Sequence, residues 1–111
     1  MRRGEIRYAN LGGRFGRRPV LVLTATEIVP VLNAITCAPI TTSLRDIPTR
    51  VPLGRLEGLA EPSEAVCDAL ATIPKEDIDT VALGSMPGAR MAEVDRAIAR
   101  ALDIRRANLV S

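Results

Sequence analysis

The chain has 111 residues, of which 47% are hydrophobic, 25% charged and 2% aromatic, with a formal net charge of +2. That fits a single domain over residues 1–111 built on one core, and excludes a multidomain machine. No run approaches the ~18 to 20 consecutive apolar residues that cross a bilayer, and the basic N-terminus leads into a strand-like segment instead of a secretory leader, so a cytoplasmic protein without a membrane partner is expected.

There is no histidine, and Cys37 and Cys67 lack any CxxC spacing, which leaves almost nothing for a zinc or redox site and makes a disulfide unexpected. Without imidazole, the Ser-His-Asp and Cys-His arrangements and a paired-histidine ribonuclease are excluded. Acid-base and electrostatic work falls to carboxylates, arginine, Ser/Thr hydroxyls and backbone donors. Charge is unevenly spread: residues 1–18 hold six arginines against Glu5, a balance of +5. Residues 55–80 hold Arg55 and Lys75 against seven acids, a balance of −5. Fourteen of the fifteen basic residues are arginine, whose planar fork grips phosphate bidentately. Composition alone leaves two readings open, an anionic partner for the N-terminal region or a solvated surface.

In chain order, Gly4 to Leu11 alternates Ile6 and Tyr8 with Glu5 and Arg7, the period of a half-buried strand. Gly12-Gly13-Arg14-Phe15-Gly16-Arg17 reads as a glycine-rich surface loop. Pro19 to Thr24 is a short apolar run rich in β-branched residues, expected to be a buried strand. A third strand is expected over about Asn33 to Thr41 and a fourth over Thr49 to Leu53. Gly54 to Pro62 reads as loop, Val66 to Thr72 as a further strand, and Val81 to Gly84 as a short one. Met91, Val94, Ile98, Ala101 and Leu102 trace one apolar face of a helix, with Pro87 near its first turn and Ser85 as its cap. Residues 103–111 read as a frayed polar tail. Many short strands followed by one helix predict a mainly β fold, a small, strongly curved barrel-like sheet with a helix packed on it.

Three segments carry a resemblance: Arg3-Gly4-Glu5-Ile6, Gly16-Arg17-Arg18-Pro19-Val20-Leu21-Val22-Leu23, and Ala38-Pro39-Ile40-Thr41-Thr42. In this order and spacing they resemble the MazF/PemK family of toxin endoribonucleases, the toxic halves of bacterial toxin-antitoxin pairs. Weaker similarity runs on through Ile47-Pro48-Thr49, Val51-Pro52-Leu53 and Thr72-Ile73-Pro74-Lys75 to about residue 102. The resemblance implies an SH3-like small β-barrel of CcdB/PemK type with a C-terminal helix, assembled as a homodimer. It also implies sequence-selective cleavage of single-stranded RNA with no metal or other cofactor, and neutralisation by an antitoxin with a disordered acidic C-terminal segment.

By the same resemblance Arg18 and Thr41 are the catalytic pair. Arg14, Gly16 and Arg17 in the loop, Thr42 and Ser43 after Thr41, and Asp68 are candidates for RNA binding. The implied reaction is attack of the substrate's own 2′-OH on phosphorus, leaving a 2′,3′-cyclic phosphate and a 5′-OH. These residue types suit that chemistry, because a guanidinium and a hydroxyl aimed at a phosphorane stabilise its charge while RNA supplies the nucleophile. For the proton acceptor, Glu5 and a substrate-assisted route both stand. Each residue also has a plainer reading: Arg18 as a surface arginine entering a strand, Thr41 as a strand end, Arg17 and Asp68 as solvated charges.

Two departures from the family pattern bear on specificity. Position 7 is often aromatic in relatives and is Arg7 here, and Ala69 and Ala71 stand where many members carry amides that read base edges. Two rival functions use the same fold, a CcdB-like gyrase inhibitor and an inactive module that only binds antitoxin.

Overall fold

A computed structural model describes residues 1–109. Its organising strand is the run read above as buried. Val20 and Val22 point into one apolar cluster with Ile35, Cys37, Ile73 and Ile78. Leu21 and Leu23 point into another with Ile6, Ala38, Ile40, Val51 and Val94. A strand covered on both faces shows no polar alternation, which is why it reads as a continuous apolar stretch.

Seven strands form one curled antiparallel sheet: β1 (Glu5–Asn10), β2 (Arg17–Val22), β3 (Ala34–Thr41), β4 (Arg50–Leu53), β5 (Ser63–Val66), β6 (Ala71–Pro74) and β7 (Gly84–Ser85). The sheet order is β4-β5-β3-β2-β1-β7, with β6 also on β3. Strand β3 is the spine. Its first half pairs with β6, from Ala34 opposite Pro74 to Cys37 opposite Ala71, and its last two residues pair with β5, Ile40 opposite Ala65 and Thr41 opposite Glu64. Ala38 and Pro39 fall between the two ladders, where a missing proline N–H costs no rung on that edge.

Helix α1 (Gly88–Leu102) covers the first cluster through Met91, Val94 and Ala97. Polar ties fix it in place: Arg90 donates to the Pro52 carbonyl at 2.6 Å and pairs with Glu93, while Arg3 pairs with Asp95.

The elements agree with expectation except in five places. In β1 it is Arg7, paired with Glu5, that is buried beside Ile6, while Tyr8 is only half-buried, so the strand does not keep the expected alternation. The stretch Val66 to Thr72 holds the last residue of β5, a turn at Cys67–Asp68 and the start of β6, because side chains keep alternating around a tight corner and a period of two cannot reveal it. The strand expected at Val81 to Gly84 lies at Gly84–Ser85. That position removes Ser85 as the cap, and Pro87 caps the helix without a side-chain bond. The helix outruns the sheet, so Leu102 is exposed while Ala97 is buried. Of the tail, Arg106–Asn108 forms a single 3-10 turn, and residues 110–111 lie outside the described residues.

Where β7 crosses the turn after β4, Gly58 and Gly84 touch backbone to backbone. A Cβ on Gly84 would sit 2.2 Å from the Glu57 carbonyl oxygen, and one on Gly58, at φ +92°, 2.3 Å from that of Leu83. Both obstacles are main chain and cannot rotate away. Gly84→Ala should therefore cost about 2 kcal/mol or more, read as a lower urea midpoint at an unchanged m-value.

Candidate active site

The register of the central strands brings the two motif residues together. Val20 opposes Pro39 in the β2–β3 ladder. The ladder stops short of Arg18 and Thr41, two residues further along each strand, and both side chains line the space where the two strands are no longer paired. The ladder ends at Val20, and the space beyond it is a cavity of about 340 Å³ lined by both residues. Pro39, Thr41, Val66 and Arg50 form its floor. Leu11 and Phe15 from the β1–β2 loop wall one side, and Ala69 and Ala71 beside the β5–β6 turn wall the other. The cavity thus opens where β3 exchanges β6 for β5 and those two strands diverge.

Arg18 is half-buried. Its Nε donates to the Phe15 carbonyl at 3.3 Å and its guanidinium lies 5.8 Å from the Phe15 ring centroid, so the loop holds the side chain from one side. Its terminal nitrogens have no partner among the described residues. The Thr41 hydroxyl oxygen accepts the Ser43 N–H at 3.0 Å, which fixes the oxygen and leaves its own hydrogen to donate. The nine lining residues supply two guanidinium groups, one hydroxyl and no carboxylate. Such a mixture of apolar walls and convergent donors suits an anion carrying a flat apolar group.

The other expected residues are placed differently. Arg17 alternates to the far face of β2, where its guanidinium forms a bidentate pair with Asp79, one bond 2.9 Å long, and stacks 4.9 Å from the centre of the Tyr8 ring. The hydrogen bond from Arg17 holds the Asp79 carboxyl below its ordinary pKa. Arg14 is exposed over Phe15 at 5.5 Å, and Gly16 closes the loop at φ 56°. Thr42 and Ser43 are exposed in the turn beyond Thr41, outside the lining. Asp68 sits on the β5–β6 turn and accepts the Thr49 hydroxyl at 2.7 Å. Glu5 is four residues along β1 from Ala9, the partner of Arg18, about 13 Å of strand away, and pairs with Arg7, so it is not in the cavity.

Sequence reasoning missed Arg50 and Glu64, since nothing local joins a residue of β4 to one of β5. Glu64 accepts the backbone N–H groups of Arg45 and Asp46, each at 3.0 Å, and pairs with Arg50 at 3.3 Å. Burial by itself raises its pKa, but these donors outweigh burial and hold the carboxyl below the ordinary 4.5. Burial pushes the thiols of Cys37 and Cys67 up to about 12 and about 11, so both are inert as nucleophiles near neutrality.

Comparison with known proteins shows the family. Residues 2–102 match the family of the PemK-like, MazF-like toxin of type II toxin-antitoxin systems. The chain is 41% identical over 85 residues to the endoribonuclease MazF3 of Mycobacterium tuberculosis, covering 77% of this chain and 78% of that one. Among solved structures, the Mycobacterium tuberculosis toxin MazF-mt6 superposes with a TM-score of 0.84 at 36% identity, over 91% of this chain and 98% of its own. A mycobacterial endoribonuclease in complex with its cognate antitoxin superposes equally well, TM-score 0.84 at 26% identity, over 95% of this chain and 97% of its own.

Because the folded pKa of Glu64 lies below its unfolded value, its stabilisation is complete above about pH 4.5 and is lost as pH falls through the lower folded value. Stability measured by urea unfolding should decline below pH 4.5 in the natural protein, and Glu64→Gln should remove part of that decline.

Proposed function

The chain belongs to the family of PemK-like, MazF-like toxins of type II toxin-antitoxin systems, and we propose that its cavity cleaves single-stranded RNA as a sequence-selective endoribonuclease needing no metal cofactor. The observation that carries this reading is that Arg18 and Thr41, from different strands, line one cavity with no carboxylate in it. In the reaction, the 2′-OH preceding the scissile phosphate attacks phosphorus. The bond to the departing 5′-oxygen breaks, and a 2′,3′-cyclic phosphate and a 5′-OH remain. Arg18 and the Thr41 O–H stabilise the non-bridging oxygens as charge gathers on them. No carboxylate lines the cavity, which favours a substrate-assisted route for the proton over Glu5.

Phe15, Leu11, Ala69 and Ala71 give a base flanking the phosphate an apolar slot. With alanines where amides would read base edges, shape and stacking carry more of the selectivity. Arg17 reaches a phosphate only by releasing Asp79. An antitoxin's acidic segment offers Arg17 and Arg18 the same carboxylate chemistry, and a related toxin is known in complex with its cognate antitoxin. The exposed Leu44, Ile47, Leu102, Ile104 and Leu109 support burial against a second copy of the chain. Among the described residues no helix is long and apolar enough to cross a membrane, and the proposed RNA substrate supports a cytoplasmic site of action. Neither a gyrase inhibitor nor an inactive module is supported, since the matched proteins are endoribonucleases by name.

Arg18→Ala and Thr41→Ala should each slow cleavage of a mixed RNA on the order of 100- to 1,000-fold while leaving the thermal midpoint nearly unchanged. Natural turnover by a folded Arg18→Ala protein refutes the assignment. Cleavage should persist in excess EDTA and stop at a 2′-deoxy nucleotide 5′ of the scissile phosphate. Products ending in a 5′-phosphate refute the mechanism.

A further inference from the structure

Arg50 is the second guanidinium on the cavity floor, and its side chain is nearly as buried as that of its partner Glu64, 12% against 6% exposed. Across β4 and β5, Arg50 opposes Val66 while Glu64 opposes Pro52, so the two are diagonal neighbours on one face, within reach of long side chains. Arg50 Nη1 donates to the Ser43 carbonyl at 3.0 Å as well as to Glu64 at 3.3 Å. Its Nε is buried without a partner among the described residues.

An ion pair this deep is weak ground for stability, because two apolar side chains of similar volume would do as well or better. What it adds is geometry. Every side-chain-to-backbone hydrogen bond of the pair lands on the turn that follows Thr41: Arg50 on the Ser43 carbonyl, Glu64 on the N–H groups of Arg45 and Asp46. Asp46 is held at φ 52°, a left-handed conformation that a non-glycine residue keeps only when its surroundings impose it. The same turn aims the Ser43 N–H at the Thr41 hydroxyl oxygen. The constraint therefore runs from β4 and β5, through the turn, to the group that faces the phosphate.

We propose that Arg50 and Glu64 are a positioning pair that holds the 41–46 turn and thereby sets the direction of the Thr41 hydroxyl during RNA cleavage. This rests on the reading of the cavity as the cleaving site. Arg50 lines the cavity, but its Nη1 is committed to Glu64 and the Ser43 carbonyl, so the pair acts on turnover through Thr41 more than on RNA affinity.

The test compares Arg50→Lys, Glu64→Gln and the double apolar exchange Arg50→Met/Glu64→Leu with the natural protein. A lysine keeps the charge but not the rigid guanidinium plane that fixes Nη1 between the Ser43 carbonyl and Glu64, and the apolar pair keeps the fold without a buried unpaired charge. In each folded variant, kcat should fall about 10- to 100-fold while KM for RNA changes less than about 3-fold. The Ser43 and Arg45 amide resonances should shift in a ¹H–¹⁵N spectrum recorded without RNA. Arg50→Lys and Glu64→Gln combined should cost no more than the larger single loss, as members of one unit do.

An unchanged kcat in the folded variants overturns the proposal. So does a rise in KM alone, which would make Arg50 a direct RNA ligand, and so does a fall in kcat with the Ser43 and Arg45 amides unmoved. If the natural protein cleaves no RNA, the function fails instead, and the amide shifts still decide whether the pair holds the turn.

Discussion

Strand β3 cannot keep one neighbour along its whole length. It pairs with β6 at its start and β5 at its end, and the handover falls at Ala38–Pro39. A curled sheet needs such a transfer to bend around a core this small, and proline suits a step where one edge has no ladder bond to make. Divergence of β5 from β6 beyond that step leaves a gap on the face away from helix α1. The cavity is that gap, floored by the strand that made it. Closing the barrel and opening the site are one geometric event.

The electrostatic layout follows from the same curl. Residues 1–18 are strongly basic and residues 55–80 strongly acidic, yet the fold spends much of that imbalance internally. Asp79 takes Arg17, and its carbonyl takes the buried Arg7, which also pairs with Glu5. Glu64 takes Arg50 and Asp68 takes Thr49. Arg18, at the cavity, meets only a carbonyl and an aromatic ring, neither of which neutralises it. A cationic group kept unpaired at the mouth of a cavity with apolar walls is poised for an external anion, and low local dielectric strengthens that attraction.

Thr41 is prepared from the opposite side. Its oxygen is occupied by the Ser43 N–H, so its hydrogen is the part left to interact. Arg18 is held by the β1–β2 loop and Thr41 by the turn after β3. The site is thus assembled from two loops fixed on a common rigid strand pair, and preorganised donors of this kind need little rearrangement as charge develops.

Much of this was legible in the chain itself. The residue types ruled out imidazole chemistry, the apolar runs placed β1 to β4 within a residue or two, and the motifs singled out Arg18 and Thr41, which line one cavity. Local patterns carry periodicity, and periodicity says which residues share a face, but it does not say which strand lies next door. The corner at Cys67–Asp68 shows the limit, since alternation passes through a turn unchanged. So does Arg17, whose partner Asp79 is 62 residues away. Arg50 came to the cavity, and Glu64 to its partner Arg50, only through sheet closure, because contacts between distant segments are decided by register and sheet closure, and those are properties of the whole sheet, not of any stretch of sequence.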